Sequence, residues 1–123
     1  MKRDMDLIRT IMLELEGRSE PALNLTEMTI EGHDDAVVLE HLILLEEAGF
    51  IDMNVDYYGG GETPQFLVHR ITWAGHEFLA AVRSDQIWAK ATRVLTTAGI
   101  GFGWPVLQAV LRAKAAEHLG IQF

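Results

Sequence analysis

Residues 34–48 read DDAVVLEHLILLEEA, and the placement of this stretch decides the fold. Its apolar positions recur at helical spacing, so it is expected to form a helix from Asp34 to Ala48. At 100° per residue, Val37, Val38, Leu42, Leu44, Leu45 and Ala48 cover one broad arc that must face a core. His41 falls inside that arc, where a histidine is expected as a hydrogen-bonded core residue rather than a ligand. On the opposite side lie Ala36, Leu39 and Ile43, bordered by Glu40, Glu46 and Glu47. The stretch holds five carboxylates and no Lys or Arg.

Upstream, Asp4 to Glu16 reads as a first helix, with Leu7, Ile8, Ile11 and Leu15 on one face and Gly17 ending it. Asp4 and Asp6 suit the positive end of its dipole. Arg18 to Pro21 is expected to turn. Leu23 to Glu31 alternates imperfectly and is expected as a short strand, with Gly32 and His33 forming the bend into the central helix.

Downstream, Phe50 to Tyr58 alternates with Ile51, Met53, Val55 and Tyr57 on one side, and Phe66 to Ile71 is the returning strand. Gly59, Gly60 and Gly61 make the tip of that hairpin permissive of positive φ. Thr72 is the expected N-cap of a helix Trp73–Arg83, and Ser84 that of a helix Asp85–Ala98. Ile87, Trp88, Ala91, Val94, Leu95 and Ala98 make the latter amphipathic. Gly99 stops it. Pro105 suits the first turn of a last helix that runs to Leu119, with Gly120 as its stop.

This order, helix–strand–helix–hairpin followed by two to three helices, gives an α+β fold of winged-helix-like layout. Residues 1–72 would form the winged-helix-like core, and residues 73–123 a helical extension of the same domain. In such a layout the central helix reads DNA, yet base-specific readout needs Arg, Lys, Asn or Gln on the outer face, and this face has none. The wing tip YYGGGETPQ likewise carries Glu62 and no cation, so Tyr57 and Tyr58 are expected to pack or meet a partner rather than stack on bases. One departure from the layout is visible. Between Gly17 and Asp34 there is room for a strand but little for the first helix of a helix-turn-helix pair.

The length of 123 residues suits one domain that buries roughly two-thirds of its unfolded surface. At 49% hydrophobic and 23% charged residues, the composition is that of a globular protein. The absence of cysteine excludes disulfides, thiolate metal sites and cysteine nucleophiles, and fits a reducing cytosol. The opening MKRDMDLIRT has charges where a signal peptide needs an apolar run, so a cytoplasmic location is expected. The net charge of −8 is uneven: residues 1–66 hold 4 Lys/Arg against 15 Asp/Glu, and residues 67–123 hold 6 against 3. The acidic front half repels phosphate and attracts basic surfaces, besides keeping the chain soluble. From Val94 to Leu111 there are 18 residues without charge, but Gly99, Gly101, Gly103 and Pro105 interrupt them, so two packed helices are expected rather than a membrane span.

No pattern points to catalysis. His76-Glu77 begins like a zinc-protease motif, but Ala80 stands where the second His would be required. GIGFG follows a helix and lacks the strand and Lys-Ser/Thr of a phosphate loop. The neighbouring carboxylates Asp34/Asp35 and Glu46/Glu47 point apart on a helix and suit a solvated surface. No metal or cofactor is called for.

Four phrases carry a resemblance: MKRDMDLIR at 1–9, EHLILLEEAGFI at 40–51, ITWAGHEFLAAVRSDQIW at 71–88 and LG at 119–120. They resemble an uncharacterised family of small bacterial proteins common in phages and other mobile elements. The similarity runs along nearly the whole chain. It implies a winged-helix-like fold and brings no catalytic or binding residues with it.

The expectation that follows is a small non-enzymatic adaptor or inhibitor that binds a protein with a basic surface, such as host nucleic-acid-handling machinery. Its interaction face would be Ala36, Leu39, Glu40, Ile43 and Glu47, unless other parts of the chain cover Leu39 and Ile43. The apolar residues of the last two helices exceed what one small core requires, so a homodimer through Trp88, Leu95, Trp104, Leu107 and Leu111 is expected. The alternative is a transcriptional regulator that contacts DNA through Lys90, Arg93, Arg112 and Lys114.

Overall fold

The computed structural model describes residues 1–18, 23–57 and 64–120. Among them are α1 (Met5–Arg18), α2 (Asp35–Glu47), β1 (Ile51–Asp56), β2 (Gln65–Ile71), α3 (Trp73–Val82), α4 (Asp85–Ala98) and α5 (Trp104–Leu119). The two strands form one antiparallel hairpin, so the fold is mixed α+β. The expected turn through Pro21 and the hairpin tip from Tyr58 to Glu62 lie outside the described residues. The chain forms two compact units, Met1–Phe78 and Leu79–Phe123, with the boundary inside α3 rather than ahead of it.

In the first unit α2 packs against α1 on one side and β1 on another. The predicted face of α1 is buried at Leu7, Ile8, Ile11 and Leu15, joined by Met5 and Met12. Asp4 caps the helix, its Oδ1 accepting from the amides of Asp6 (3.0 Å) and Leu7 (3.2 Å). The same residue joins α1 to α2, because the Asp4 amide donates to His41 Nε2 at 2.9 Å. His41 Nδ1 lies 2.8 Å from the Val37 carbonyl oxygen. An amide only donates and a carbonyl only accepts, so the ring carries its proton on Nδ1. His41 is fully buried and holds two elements together, the core role expected for it.

The C-terminus of α2 builds the other junction. Gly49, at φ +81°, lets the chain reverse: its amide donates to Glu46 O (3.0 Å), and the Phe50 amide to Leu45 O (2.9 Å). The carbonyls of Gly49 and Phe50 are then taken up by one residue. The Thr72 hydroxyl donates to Gly49 O, and the Thr72 amide donates to Phe50 O at 3.0 Å. The Thr72 hydroxyl also caps α3 by accepting from the Gly75 amide at 3.1 Å, as predicted. Gly75 is required here by proximity, since a Cβ would fall on the Phe50 carbonyl oxygen and 2.7 Å from Ile71 Cγ2. The rings of Phe50 and Phe78 close the corner at a centroid distance of 4.9 Å.

The hairpin pairs Ile51 with Ile71, Met53 with Val68 and Val55 with Phe66, all facing inward. The register shifts between Asp52 and Met53, which leaves His69 as an extra residue on β2. That bulge allows Val68 and Ile71, three apart, both to face the core. The strand expected over Leu23–Glu31 contracts to a single bridge, in which Leu25 and Val68 exchange both backbone bonds (3.0 and 2.8 Å). Asn24, just before the bridge, lies at φ +46°, and beyond the bridge Met28 and Ile30 remain buried without pairing to β2.

In the second unit α4 packs on α5. The Ser84 hydroxyl caps α4 by accepting from the Ile87 amide, while Gly99 and Gly120 take left-handed stops and Pro105 opens α5. The uncharged run Val94–Leu111 is divided between these helices and their loop. No described helix is long and apolar enough to cross a membrane. Trp88, Leu95, Leu107 and Leu111 are buried within the single chain. Of the set expected at a dimer interface, these four side chains are core of the single chain and Trp104 is half-exposed.

The corner makes a quantitative prediction. Gly75→Ala should destabilise the chain by about 3 kcal/mol or more in urea unfolding, because the obstacle is a backbone carbonyl that cannot rotate away. Gly17, where an added methyl would meet nothing within 4 Å, serves as the control: Gly17→Ala should be neutral or stabilising by up to about 1 kcal/mol. Equal effects at the two positions would contradict the close-packed corner.

Candidate interaction surface

With α1 and β1 on two sides of α2, its remaining surface is the candidate site. Asp34, Asp35, Ala36, Glu40, Glu46 and Glu47 are exposed there, as predicted, and Ile43 is half-buried. Leu39 departs from expectation. It is only 6% exposed, which removes it as a contact residue of the outer face. The cause is the segment before α2: Leu39 borders a groove with Thr26–Thr29 on one wall and Pro64–Phe66 on the other. A helix apolar on nearly all sides is one that neighbours cover on nearly all sides, and α2 is such a helix.

Ala36, Glu40, Ile43 and Glu47 thus stay on one face without Leu39. No Lys or Arg lies on α2 to offset its carboxylates. Two cations of the unit pair elsewhere: Arg70 with Asp52 at 3.2 Å and Arg18 with Glu14 at 3.3 Å, both pairs exposed. Such exposed pairs contribute little stability but do neutralise charge locally. Each carboxylate brought within about 4 Å of a phosphate costs about 1 kcal/mol even in bulk water, and more where water is excluded. The electrostatics of α2 therefore oppose a nucleic-acid backbone.

One residue escaped the sequence reading. Trp73, the first residue of α3, is 79% exposed. It adjoins Thr72, whose bonds to Gly49 and Phe50 tie the start of α3 to the turn that follows α2, a helix whose last residues Glu46 and Glu47 are exposed. His76 and Glu77, three and four residues on, are exposed on the same side of the helix. The signal was available in the sequence, because Gly75, Phe78, Leu79 and Val82 form the buried stripe of α3 and Trp73 lies off it. An exposed indole can take a cation on its ring face and an apolar stem along its edge.

The basic residues of the alternative lie in the second unit. Lys90 and Arg93 are exposed one turn apart on α4, and Arg112 is exposed on α5. Lys114 is instead drawn to Glu117 at 3.2 Å and is half-buried. Among the described residues no group of His, Asp and Glu could hold a metal ion.

Fold and surface together define a small α+β protein with an acidic helix face and an exposed tryptophan. The chain belongs to the family described as "Hypothetical protein (DUF2513)", whose model matches residues 2–101. It is similar to an "Uncharacterized protein" of Haemophilus influenzae, 31% identical over 119 residues that cover 97% of this chain and 99% of that one. No solved structure matches.

The placement of Trp73 is directly measurable. Of the three tryptophans, it should supply the larger part of the red-shifted, acrylamide-quenchable fluorescence, and Trp73→Phe should remove that component. A Trp88→Phe variant should instead lose protected emission, because Trp88 is 6% exposed. Unchanged quenching in Trp73→Phe would contradict its exposure.

Proposed function

We propose that this protein is a small non-catalytic interaction module, an adaptor or inhibitor that docks on a basic protein surface. The observation that carries the reading is Trp73, 79% exposed at the start of α3, which Thr72 ties to the turn that follows the acidic helix α2. Exposed tryptophans are costly to leave in water and are enriched among residues that dominate binding energy. Carboxylates around such an anchor select partners rich in Lys and Arg and speed their approach. Nucleic-acid-handling proteins present surfaces of that chemistry, and an acidic protein would compete there with the nucleic acid itself.

The architecture is read as winged-helix-like, supported by the order α1, Leu25 bridge, α2, hairpin. It lacks, among the described residues, a helix between Arg18 and Asp35 that would complete a helix-turn-helix pair. In this reading the scaffold has kept the position of a reading helix while its chemistry has turned toward protein. The family resemblance suggests a mobile-element origin, in which a host protein would be the target. A second reading, a DNA-contacting regulator, is favoured by Lys90, Arg93 and Arg112, all exposed on the second unit.

Affinity purification from a bacterial lysate with mass spectrometry tests the proposal. The wild-type chain should enrich basic proteins in a salt-sensitive manner, and both Trp73→Ala and the pair Glu46→Lys, Glu47→Lys should lose them by at least about tenfold. Identical capture by all three would sink this surface. A low-salt gel shift abolished by Lys90→Glu with Arg93→Glu would transfer the assignment to the DNA-binding reading.

A further inference from the structure

The outer edge of β2 is only partly paired. Leu25 and Val68 exchange both of their backbone bonds, so the Val68 amide and carbonyl point away from β1. Alternation along an antiparallel strand then directs the amide and carbonyl of Phe66, two residues earlier, to the same outer side. Continued pairing would put Glu27 opposite Phe66. Instead, residues 26–29 leave the strand, and no described residue takes up those two groups. Between the separated walls lies a groove of about 750 Å³, lined by Thr26, Glu27 and Met28 on one side, Gln65 and Phe66 on the other, with Leu39 and Asp35 from α2.

Two outward backbone groups that no described residue takes up, at the wall of an open groove, form a template for another strand. The groove supplies an apolar floor in Leu39, Met28 and Phe66, and its charged lining is Glu27 and Asp35, with no Lys or Arg. We propose that the groove binds an extended, cationic segment of a partner protein by strand addition to β2 at Phe66. A residue placed opposite Phe66 would direct its side chain to the face that Phe66 occupies, toward Leu39, so it should be apolar. Lys or Arg within a few residues would meet Glu27 and Asp35. This rests on the reading of the protein as one that binds basic partners, but it uses a surface separate from Trp73.

The test uses the full chain and a fluorescent heptapeptide of alternating Lys and Val, followed by anisotropy and by amide shifts in NMR. The expected result is saturable binding, with shifts at Phe66, Leu39 and Glu27. Methylating the peptide nitrogens along one edge should weaken binding by at least about tenfold, whereas methylation along the other edge should leave it nearly unchanged. Replacing Lys by Glu in the peptide, or introducing Glu27→Lys, should weaken it comparably, with circular dichroism reporting that the variant remains folded. No binding at millimolar peptide, or equal sensitivity to methylation on both edges, would overturn strand addition. Concentration-dependent broadening at Phe66 without peptide would assign the edge to a second copy of this chain and overturn the proposal as well. If the peptide fails while Trp73-dependent capture persists, only the groove is refuted. If the peptide binds while capture fails, the groove stands and the Trp73 reading falls.

Discussion

Two carbonyls that α2 leaves behind as it ends set the geometry of the first unit. Once Gly49 reverses the chain, Gly49 O and Phe50 O need donors, and Thr72 supplies both, one from its hydroxyl and one from its amide. That single residue follows β2 and precedes α3, so satisfying α2 also fixes where the hairpin closes and where α3 starts. Gly75 then lets α3 lie directly on the Phe50 carbonyl. From the middle of α2, His41 makes a second joint, receiving the amide of the residue that caps α1. A helix tied by hydrogen bonds at its middle and just past its end, and packed by α1 and β1, has one side left for anything else.

Those joints explain the phrases on which the family resemblance rests. MKRDMDLIR contains Asp4, EHLILLEEAGFI contains His41, Gly49 and Phe50, and ITWAGHEFL contains Thr72 and Gly75. These three of the four phrases each supply one side of a junction seen in the structure, while the fourth, LG at 119–120, is the stop of α5. The resemblance therefore transmits a scaffold, and the chemistry of binding has to be sought among residues the junctions do not use. Those are the carboxylates of α2, Trp73 and the stretch of the β2 edge at Phe66 that no described residue pairs.

Local signals were readable where a residue's role is set by its own backbone. The caps at Thr72 and Ser84, the stops at Gly99 and Gly120, Pro105 and both hairpin strands are all of this kind. What depended on distant chain was not readable. Leu39 lies on the outer arc of an isolated helix and is buried because residues 26–29 and the start of β2 come up beside it. The strand expected at Leu23–Glu31 has the right alternation, but only Leu25 forms a bridge, and residues 26–29 leave β2 to border the groove. The apolar residues of α4 and α5, Trp88, Leu95, Leu107 and Leu111 among them, are buried within the single chain. His69, an ordinary strand residue in the sequence, is a bulge that no alternation pattern separates from regular pairing.

The central claim is that the Thr72 corner and the His41 joint belong to the most stable part of the first unit. Native-state amide hydrogen exchange tests it most directly, because the amides of Thr72 and Asp4 are the donors in these two joints. The account predicts that both exchange only by the same global opening that exposes the buried helices, with a shared dependence on denaturant. Exchange of either amide through a low-energy local opening, while the amides of Leu42 and Leu45 stay protected, would contradict it.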